Sequence, residues 1–362
     1  MKELQEILKK VSQFAPNEKA ILATVVDVQG SGYRRAGARM LIDENGYSIG
    51  TISGGCLEAD VLERARKVLE TGEPTVLIYD TTKDKNSVFG LGMGCRGIVR
   101  ILLEEMDAES SFFDFLQTAF DARKSFTMAT FITSNNESLD VGARYFLQDS
   151  VITFKTTSPQ IPKELSEELK RFSHEKNSKL ATFDFGEVFF ETINPPINLR
   201  LFGAGYDALP LIRFAKEIGW RVSVVDHRAA FANAERLAEA DEIFVSRAED
   251  LSEVFFTDEN SVAVVMTHNY DRDCEILPRL LHSKFLYIGA LGPKTRTEKI
   301  LNESGETFSD EQLKRLHAPI GLDIGASSPE AIALSIIAEI NAVLSNRNGG
   351  FLRERKGSIY DR

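Results

Sequence analysis

The chain has 362 residues, of which 43% are hydrophobic and 27% are charged, and its formal net charge is −11. This composition is typical of a globular protein of two or three domains, and it excludes collagen-like and low-complexity chains. An acidic balance without a long basic run argues against a nucleic-acid-binding role. No stretch approaches 18 consecutive apolar residues and the first ten residues lack an apolar signal segment, so we expect no membrane span and no signal peptide. Three sparse cysteines fit a reducing, cytoplasmic location.

The first part of the chain, to about residue 105, mixes helical and extended patterns. Apolar residues from Leu4 to Val11 recur at helical spacing, and Asn45-Gly46 predicts a hairpin turn because this dipeptide tolerates positive φ. A helix is expected to begin near Cys56 and to end at Gly72. The predicted strands span residues 20–28, 38–42, 48–52, 75–79 and 97–103.

Residues 107–195 carry weaker patterns, and no internal repeat with a fixed period is visible. The stiff Asn194-Pro195-Pro196 segment predicts a domain boundary. We therefore expect an N-terminal mixed α/β cofactor module over residues 1–196, with two subdomains that meet near residue 106. Its second part has predicted helices near 112–123 and 162–172 and predicted strands near 127–133, 144–147 and 187–192.

From Ile197 the pattern changes to buried strands that alternate with helices. This alternation predicts a Rossmann-like doubly wound parallel sheet over residues 197–346, followed by a solvated tail over 347–362. The predicted strands span 198–202, 221–225, 242–245, 262–266 and 285–288, and the last helix spans 329–344.

A dinucleotide fingerprint of the form G-x-G-x-x-A follows the first of these strands. Gly203 permits the tight turn, Gly205 lets a pyrophosphate approach the backbone, and Ala208 allows close packing of helix and strand. Asp226 follows Gly203 by 23 residues, near the spacing of a carboxylate that binds the ribose. The motif predicts an NAD-type pocket; a vestigial pocket or one for another nucleotide is the alternative.

Three residues near this pocket complicate its chemistry. A carboxylate at Asp207 opposes an anion at the phosphate turn, and Arg228 weakens the preference for NAD over NADP that Asp226 predicts. His268 follows the fourth strand of the unit, at the edge where ligands bind in such folds. It is a candidate general acid or base, or a structural residue that bonds the loop backbone.

Two glycines precede a cysteine in the segment Ser53-Gly54-Gly55-Cys56-Leu57-Glu58. Backbone amides at the start of a helix can hold an anion and favour a thiolate, and a soft thiolate can ligate a metal or carry sulfur. The alternative is that Cys56 is a small buried side chain in a tight turn. Cys95 lies in another glycine-rich segment, Cys274 is expected to be a packing residue, and no CxxC pair points to a closed zinc site.

A third glycine-rich segment, Ser31–Gly37, carries Arg34 and Arg35. Arginines in such a loop suit an anionic ligand, although solvation at the surface explains them equally well.

Taken together, these motifs resemble the xanthine dehydrogenase accessory factor family of the XdhC/CoxI type over nearly the whole chain. The segments that carry the resemblance are residues 31–37, 53–58, 202–205, 267–271, 287–292, 317–325 and 328–333. The chain departs from the family at Arg96, where a glycine is usual after the cysteine, and at Tyr206, where a histidine is common.

The resemblance implies a maturation factor that binds molybdenum cofactor (molybdopterin), supports its sulfuration, and inserts it into an apo molybdenum hydroxylase of the xanthine dehydrogenase type. It implies a cysteine desulfurase as sulfur source. It carries over Cys56 as the cofactor-site thiol, which is the residue expected to meet molybdenum. The other residues predicted to bind this cofactor are Gly54, Gly55, Glu58, Cys95, Arg34 and Arg35.

Purine oxidation by this chain alone is implausible because the chain lacks the cysteine sets of iron–sulfur clusters and the length of a hydroxylase. Cys56 with its glycines favours an accessory factor over a simple dehydrogenase, which has no need of that motif. The alternatives are an NAD-dependent oxidoreductase that uses Asp226 and His268, and a scaffold with degenerate pockets. A homodimer is expected from the frequency of dimers among soluble proteins.

Overall fold

The structure is a computed structural model that describes residues 1–30, 33–80, 97–135, 139–154, 161–175 and 177–356. The chain divides into two compact units, Glu3–Pro195 and Pro196–Arg362. Among the described residues, no helix is long and apolar enough to cross a membrane.

The N-terminal unit contains two halves with the same order of elements. The first half comprises α1 (Lys2–Val11), β1 (Ala20–Gly30), β2 (Arg39–Asp43), β3 (Ser48–Gly50), α2 (Glu58–Thr71), β4 (Thr75–Asp80) and β5 (Gly97–Met106). The second half comprises α3 (Ser111–Asp121), β6 (Phe126–Phe131), β7 (Arg144–Gln148), β8 (Val151–Phe154), α4 (Lys163–Phe172), β9 (Lys179–Phe183) and β10 (Gly186–Ile193). Each half forms an antiparallel five-stranded sheet, with strand orders β3-β2-β1-β5-β4 and β8-β7-β6-β10-β9. The topology is therefore duplicated, although the sequence shows no repeat.

Two buried ion pairs join the halves reciprocally. Arg39, which opens β2, pairs with Glu191 of β10, and Arg144, which opens β7, pairs with Glu104 of β5. Each arginine also donates to the carbonyl of the residue two positions earlier. Because each half supplies the same arginine and the same glutamate position, the contact is isologous, as in a twofold-symmetric dimer.

Equivalent positions also meet at the centre of this interface. Arg100 of β5 donates to Glu187 of β10 over 2.9 and 2.6 Å, and both residues lie six positions before the end of their strands. A small apolar cluster completes the contact and contains Val26, Leu102, Ile132 and Phe189. The ring of Phe112 lies 5.1 and 5.0 Å from the Arg39 and Arg144 guanidinium groups.

The C-terminal unit is a six-stranded parallel sheet covered by helices, which confirms the predicted doubly wound fold. The strand order is β13-β12-β11-β14-β15-β16. The order reverses between β11 and β14, and ligands bind at such a switch point in open α/β sheets. The elements are β11 (Asn198–Phe202), α5 (Ala208–Glu217), β12 (Arg221–Asp226), β13 (Glu242–Val245), β14 (Ser261–Val265), α6 (Tyr270–His282), β15 (Tyr287–Ala290), α7 (Lys294–Glu303), α8 (Asp310–Lys314), β16 (Leu316–His317) and α9 (Pro329–Leu344).

Three strands were not predicted, and one was misplaced. β8 and β9 are edge strands with partly exposed side chains, so they lack the apolar run that marks a buried strand. β16 has only two residues. The strand predicted at 285–288 begins instead at Tyr287.

Candidate functional site

The loop between β3 and α2 presents Cys56. Gly54 and Gly55 have φ values of +82° and +113°, which glycine adopts without strain. Cys56 and both glycines are exposed, so Cys56 is not the buried packing residue of the alternative interpretation. A Cβ atom on Gly55 would have nothing within 4 Å, so the loop is open on the side of Gly55.

The Glu58 carboxylate holds this loop. It accepts hydrogen bonds from the backbone amides of residues 52, 53, 54, 55 and 57, at 2.8 to 3.3 Å. The hydroxyl groups of Thr51 and Ser53 also donate to it. Burial alone would raise the pKa of Glu58, but the bonds from Ser53, Thr51 and the backbone lower it to about 2.

The backbone amides that were predicted to bind an anionic group of a ligand therefore donate to the Glu58 carboxylate. Glu58, predicted as a cofactor-binding residue, organises the loop instead. Within residues 52–57, the Cys56 amide alone does not donate to Glu58.

Tyr33 was missed by the sequence analysis as a residue of this site. Its side chain is 67% exposed, and a Cβ atom on Gly54 would lie 2.7 Å from its ring. Of the two arginines in the same loop, Arg34 pairs with Glu3, and Arg35 is exposed but also interacts with another group of the protein. Cys95 and Arg96 lie outside the described residues, and no metal-binding cluster of three or more His, Cys, Asp or Glu occurs in the described ranges.

The fingerprint glycines lie at the carboxyl end of β11, as the sequence predicted. A Cβ atom on Gly203 would lie 2.4 Å from the Met266 carbonyl oxygen, so this position requires glycine. Ala208 opens α5 and is completely buried. A Cβ atom on Gly205 would lie 2.6 Å from the Asp207 carboxylate, which therefore lies close to the backbone that was expected to face a pyrophosphate.

Asp207 is paired with His268. Nε2 of His268 lies 2.6 Å from Oδ2 of Asp207, and His268 has a φ of +55°, rare for a residue with a side chain. This pair gives His268 a defined partner, and no substrate-facing role follows from it.

Asp226 is fully engaged within the protein. Oδ1 accepts from the backbone amide and Nε of Arg228, both at 2.9 Å, and Oδ2 accepts from the Ala204 amide at 2.9 Å and from Nη2 of Arg228 at 2.7 Å. Burial would raise the pKa of Asp226, but the Arg228 bonds hold it below its usual value. The predicted preference for NAD required this carboxylate to accept hydrogen bonds from a ribose, and its acceptor positions are already used by Arg228 and Ala204.

The segment 317–325 leaves the same edge of the sheet after β16. Glu339 of α9 accepts from the Tyr287 hydroxyl and from the Gly321 amide, and the Tyr287 ring stacks on His317 at 4.3 Å. Burial and the bond to Glu339 raise the pKa of Tyr287. This network fixes the start of the segment that carries the most specific motif of the sequence.

Known proteins share both units. The profile of the XdhC Rossmann domain matches residues 199–340, and that of the XdhC and CoxI family matches residues 14–80. A Bacillus subtilis protein named as a probable xanthine dehydrogenase subunit is 32% identical, over 89% of this chain and 92% of its own. The Escherichia coli molybdenum cofactor insertion chaperone PaoD is 22% identical, over 90% of this chain and 83% of its own.

A solved structure agrees with these relatives. The crystal structure of a xanthine dehydrogenase from Bacillus halodurans is similar to this chain with a TM-score of 0.79 and 31% identity, over 96% of this chain and 97% of that one. Shared motifs, near-complete coverage and the same fold lead to one assignment: the chain belongs to the XdhC and CoxI family.

Proposed function

We propose that this protein is a maturation factor that holds molybdenum cofactor as cargo and inserts it into an apo molybdenum hydroxylase of the xanthine dehydrogenase type. The names of the Bacillus subtilis and Escherichia coli relatives support this role. The observation that carries the proposal is the exposed Cys56 thiol on a glycine loop that Glu58 holds in place.

The donor set fits the metal end of this cargo. A cysteine sulfur is a soft donor that suits a thiolate-binding metal centre, and Cys56 is exposed. The loop amides do not fit the phosphate end, because they donate to Glu58. Arg35, the exposed arginine of the neighbouring loop, is the candidate for that phosphate.

Sulfuration extends the proposal. The family resemblance implies that a cysteine desulfurase supplies sulfur to the cargo, and Cys56 would hold the cargo at an exposed position where that partner could reach it. A homodimer and a cytoplasmic location stay predictions from the sequence.

Replacement of Cys56 tests the proposal. Cys56→Ser keeps the size of the side chain but replaces a soft donor by a hard one, so we expect normal folding with loss of cofactor retention and of hydroxylase activation. Cys274→Ser is the matched control, because Cys274 lies in the C-terminal unit and packs against the core of that unit. This variant should keep both cofactor retention and hydroxylase activation. Retention of the cofactor by purified Cys56→Ser at the level of the parent protein would contradict the proposal.

The alternative, an NAD-dependent oxidoreductase, gains no support from the geometry. Asp226 is bonded to Arg228, and His268 is bonded to Asp207. NAD therefore stays a ligand expected from the sequence motif alone.

A further inference from the structure

A small pocket lies at the carboxyl ends of β11, β12, β13 and β14. It has a volume of about 120 Å³. A pocket that encloses a whole drug-sized ligand measures roughly 300–1,000 Å³. The pocket therefore accommodates one chemical group of a nucleotide rather than the whole molecule. Its lining includes Asp226, His227, Arg228, Ser246, Arg247 and Arg272.

Asp226, the acidic residue at the expected ribose position, has no acceptor position left for an unmodified ribose. A carboxylate has about four acceptor positions, and the Asp226 carboxylate accepts four hydrogen bonds from Arg228 and Ala204. A ribose hydroxyl pair would have to displace Arg228 from a side chain that is 3% exposed. The expected contact with NAD does not fit this geometry.

Positive charge exceeds negative charge in the lining. The guanidinium groups of Arg228, Arg247 and Arg272 face the carboxylates of Asp226 and Glu275. Asp226 neutralises Arg228, and Arg272 donates to Glu275 at 2.6 Å. Among the residues that the structure describes, Arg247 forms an ion pair with Glu249 alone, at 3.3 Å, and the two side chains are 52% and 46% exposed. Such an exposed pair contributes little, so Arg247 can turn to a ligand at small cost.

Arg228 is held in position for a second partner. Asp226 binds its Nε and Nη2, and its guanidinium lies 4.1 Å from the Phe231 ring centroid. Within the described ranges, Nη1 of Arg228 makes no hydrogen bond. A planar guanidinium that is fixed on one side offers its other donors to a phosphate with little loss of entropy.

We propose that this pocket binds the phosphomonoester of a phosphorylated ribose, through Arg228 and Arg247, so that the Rossmann domain prefers a nucleotide of the NADP class to NAD. An arginine near the ribose position is the means by which dinucleotide folds accommodate a 2′-phosphate. All residues of the pocket belong to the C-terminal unit, and the proposal does not depend on the maturation role.

Calorimetric titration of the full chain tests the proposal with 2′,5′-ADP and 5′-AMP as probes, at constant ionic strength. We expect 2′,5′-ADP to bind at least about tenfold more tightly, because it adds charge-assisted hydrogen bonds. NADP and NAD should show the same order. Equal affinities, tighter binding of 5′-AMP, or no binding of either probe would overturn the proposal.

Two arginine variants assign the effect to the pocket. Arg247→Gln should weaken 2′,5′-ADP binding about tenfold and leave 5′-AMP binding unchanged. Arg213→Gln is the matched control, because Arg213 of α5 is 66% exposed and has a similar 3.3 Å contact with Glu239, but does not line the pocket. An unchanged Arg247→Gln, or an equal loss in both variants, would place the phosphate elsewhere. No molybdenum enters this assay, so its failure is distinct from failure of the maturation role.

Discussion

The reciprocal ion pairs between the halves of the N-terminal unit should control its stability. In the Arg39–Glu191 pair, the side chains are 1% and 7% exposed. Glu191→Gln keeps the shape of the side chain and removes its charge. Arg39 then stays buried as an uncompensated cation, because its position inside the interface leaves it almost no access to water.

The magnitude follows from this burial. Removal of one partner of a buried ion pair costs about 3–5 kcal/mol. Arg39 would keep its 2.9 Å bond to the Gly37 carbonyl and its contact with the Phe112 ring, which place the loss near the lower limit, about 3 kcal/mol. Glu104→Gln should cost a similar amount, because Glu104 and Arg144 are 5% and 8% exposed.

Hydrogen exchange measured by mass spectrometry on peptides from β2 and β10 is a suitable assay. A loss of about 3 kcal/mol corresponds to exchange that is roughly 100-fold faster. The control is Lys124→Gln, since Lys124 and Asp149 form a pair that is 52% and 64% exposed and should contribute less than about 1 kcal/mol. If Glu191→Gln changed exchange no more than this control, the buried pair would not stabilise the interface. The double replacement Arg39→Met with Glu191→Leu should cost less than Glu191→Gln alone, because it leaves no buried charge.

Three further outcomes follow from local geometry. The depressed pKa of Glu58, about 2, means that its stabilisation of the Cys56 loop is present above its ordinary pKa of 4.5 and is lost as the pH falls toward 2; loop exchange in Glu58→Gln should lack this dependence. Gly203→Ala combines positive φ with a 2.4 Å clash and should lower the free energy of unfolding by about 3 kcal/mol, whereas Gly55→Ala has positive φ alone and should cost about 1 kcal/mol in thermal unfolding. Tyr287→Phe removes the hydroxyl donor to the partly buried Glu339 carboxylate and leaves the Gly321 amide as a donor, so we expect a loss of about 1–3 kcal/mol in urea unfolding.

Local patterns in the sequence predicted most of the C-terminal unit. Ser328 and Pro329 marked the start of α9, where the Ser328 side chain accepts from the Ala331 amide. Buried parallel strands are short apolar runs between helices, so their positions can be predicted from the local sequence without knowledge of which strands pair. The fingerprint placed Gly203 correctly for the same reason, because its turn is local.

The pairings that decide the chemistry were not predictable. Glu58 and Asp226 bear the charges expected of ligand-binding residues, but each carboxylate accepts hydrogen bonds from nearby residues of the chain. The direction in which a side chain points cannot be predicted from composition or from the spacing of residues. The duplicated topology was also hidden, since only a few equivalent positions, such as Arg39 and Arg144, carry the same residue. At others the residues differ: Arg100 corresponds to Glu187, and Leu102 to Phe189. These equivalent residues contact each other across the interface, so each needs a partner of opposite charge or matching shape and not an identical side chain.

The duplicated halves have a consequence for assembly. Residues 107–110 join β5 to α3. The two halves therefore form, within one chain, an interface of the kind that two subunits form in a dimer. A short connection gives an effective concentration in the millimolar range. Dilution therefore cannot separate the halves, and each can diverge without losing its partner. A backbone cut within residues 107–110 would turn this first-order association into a second-order one, and the stability of the unit would then depend on how much protein is present.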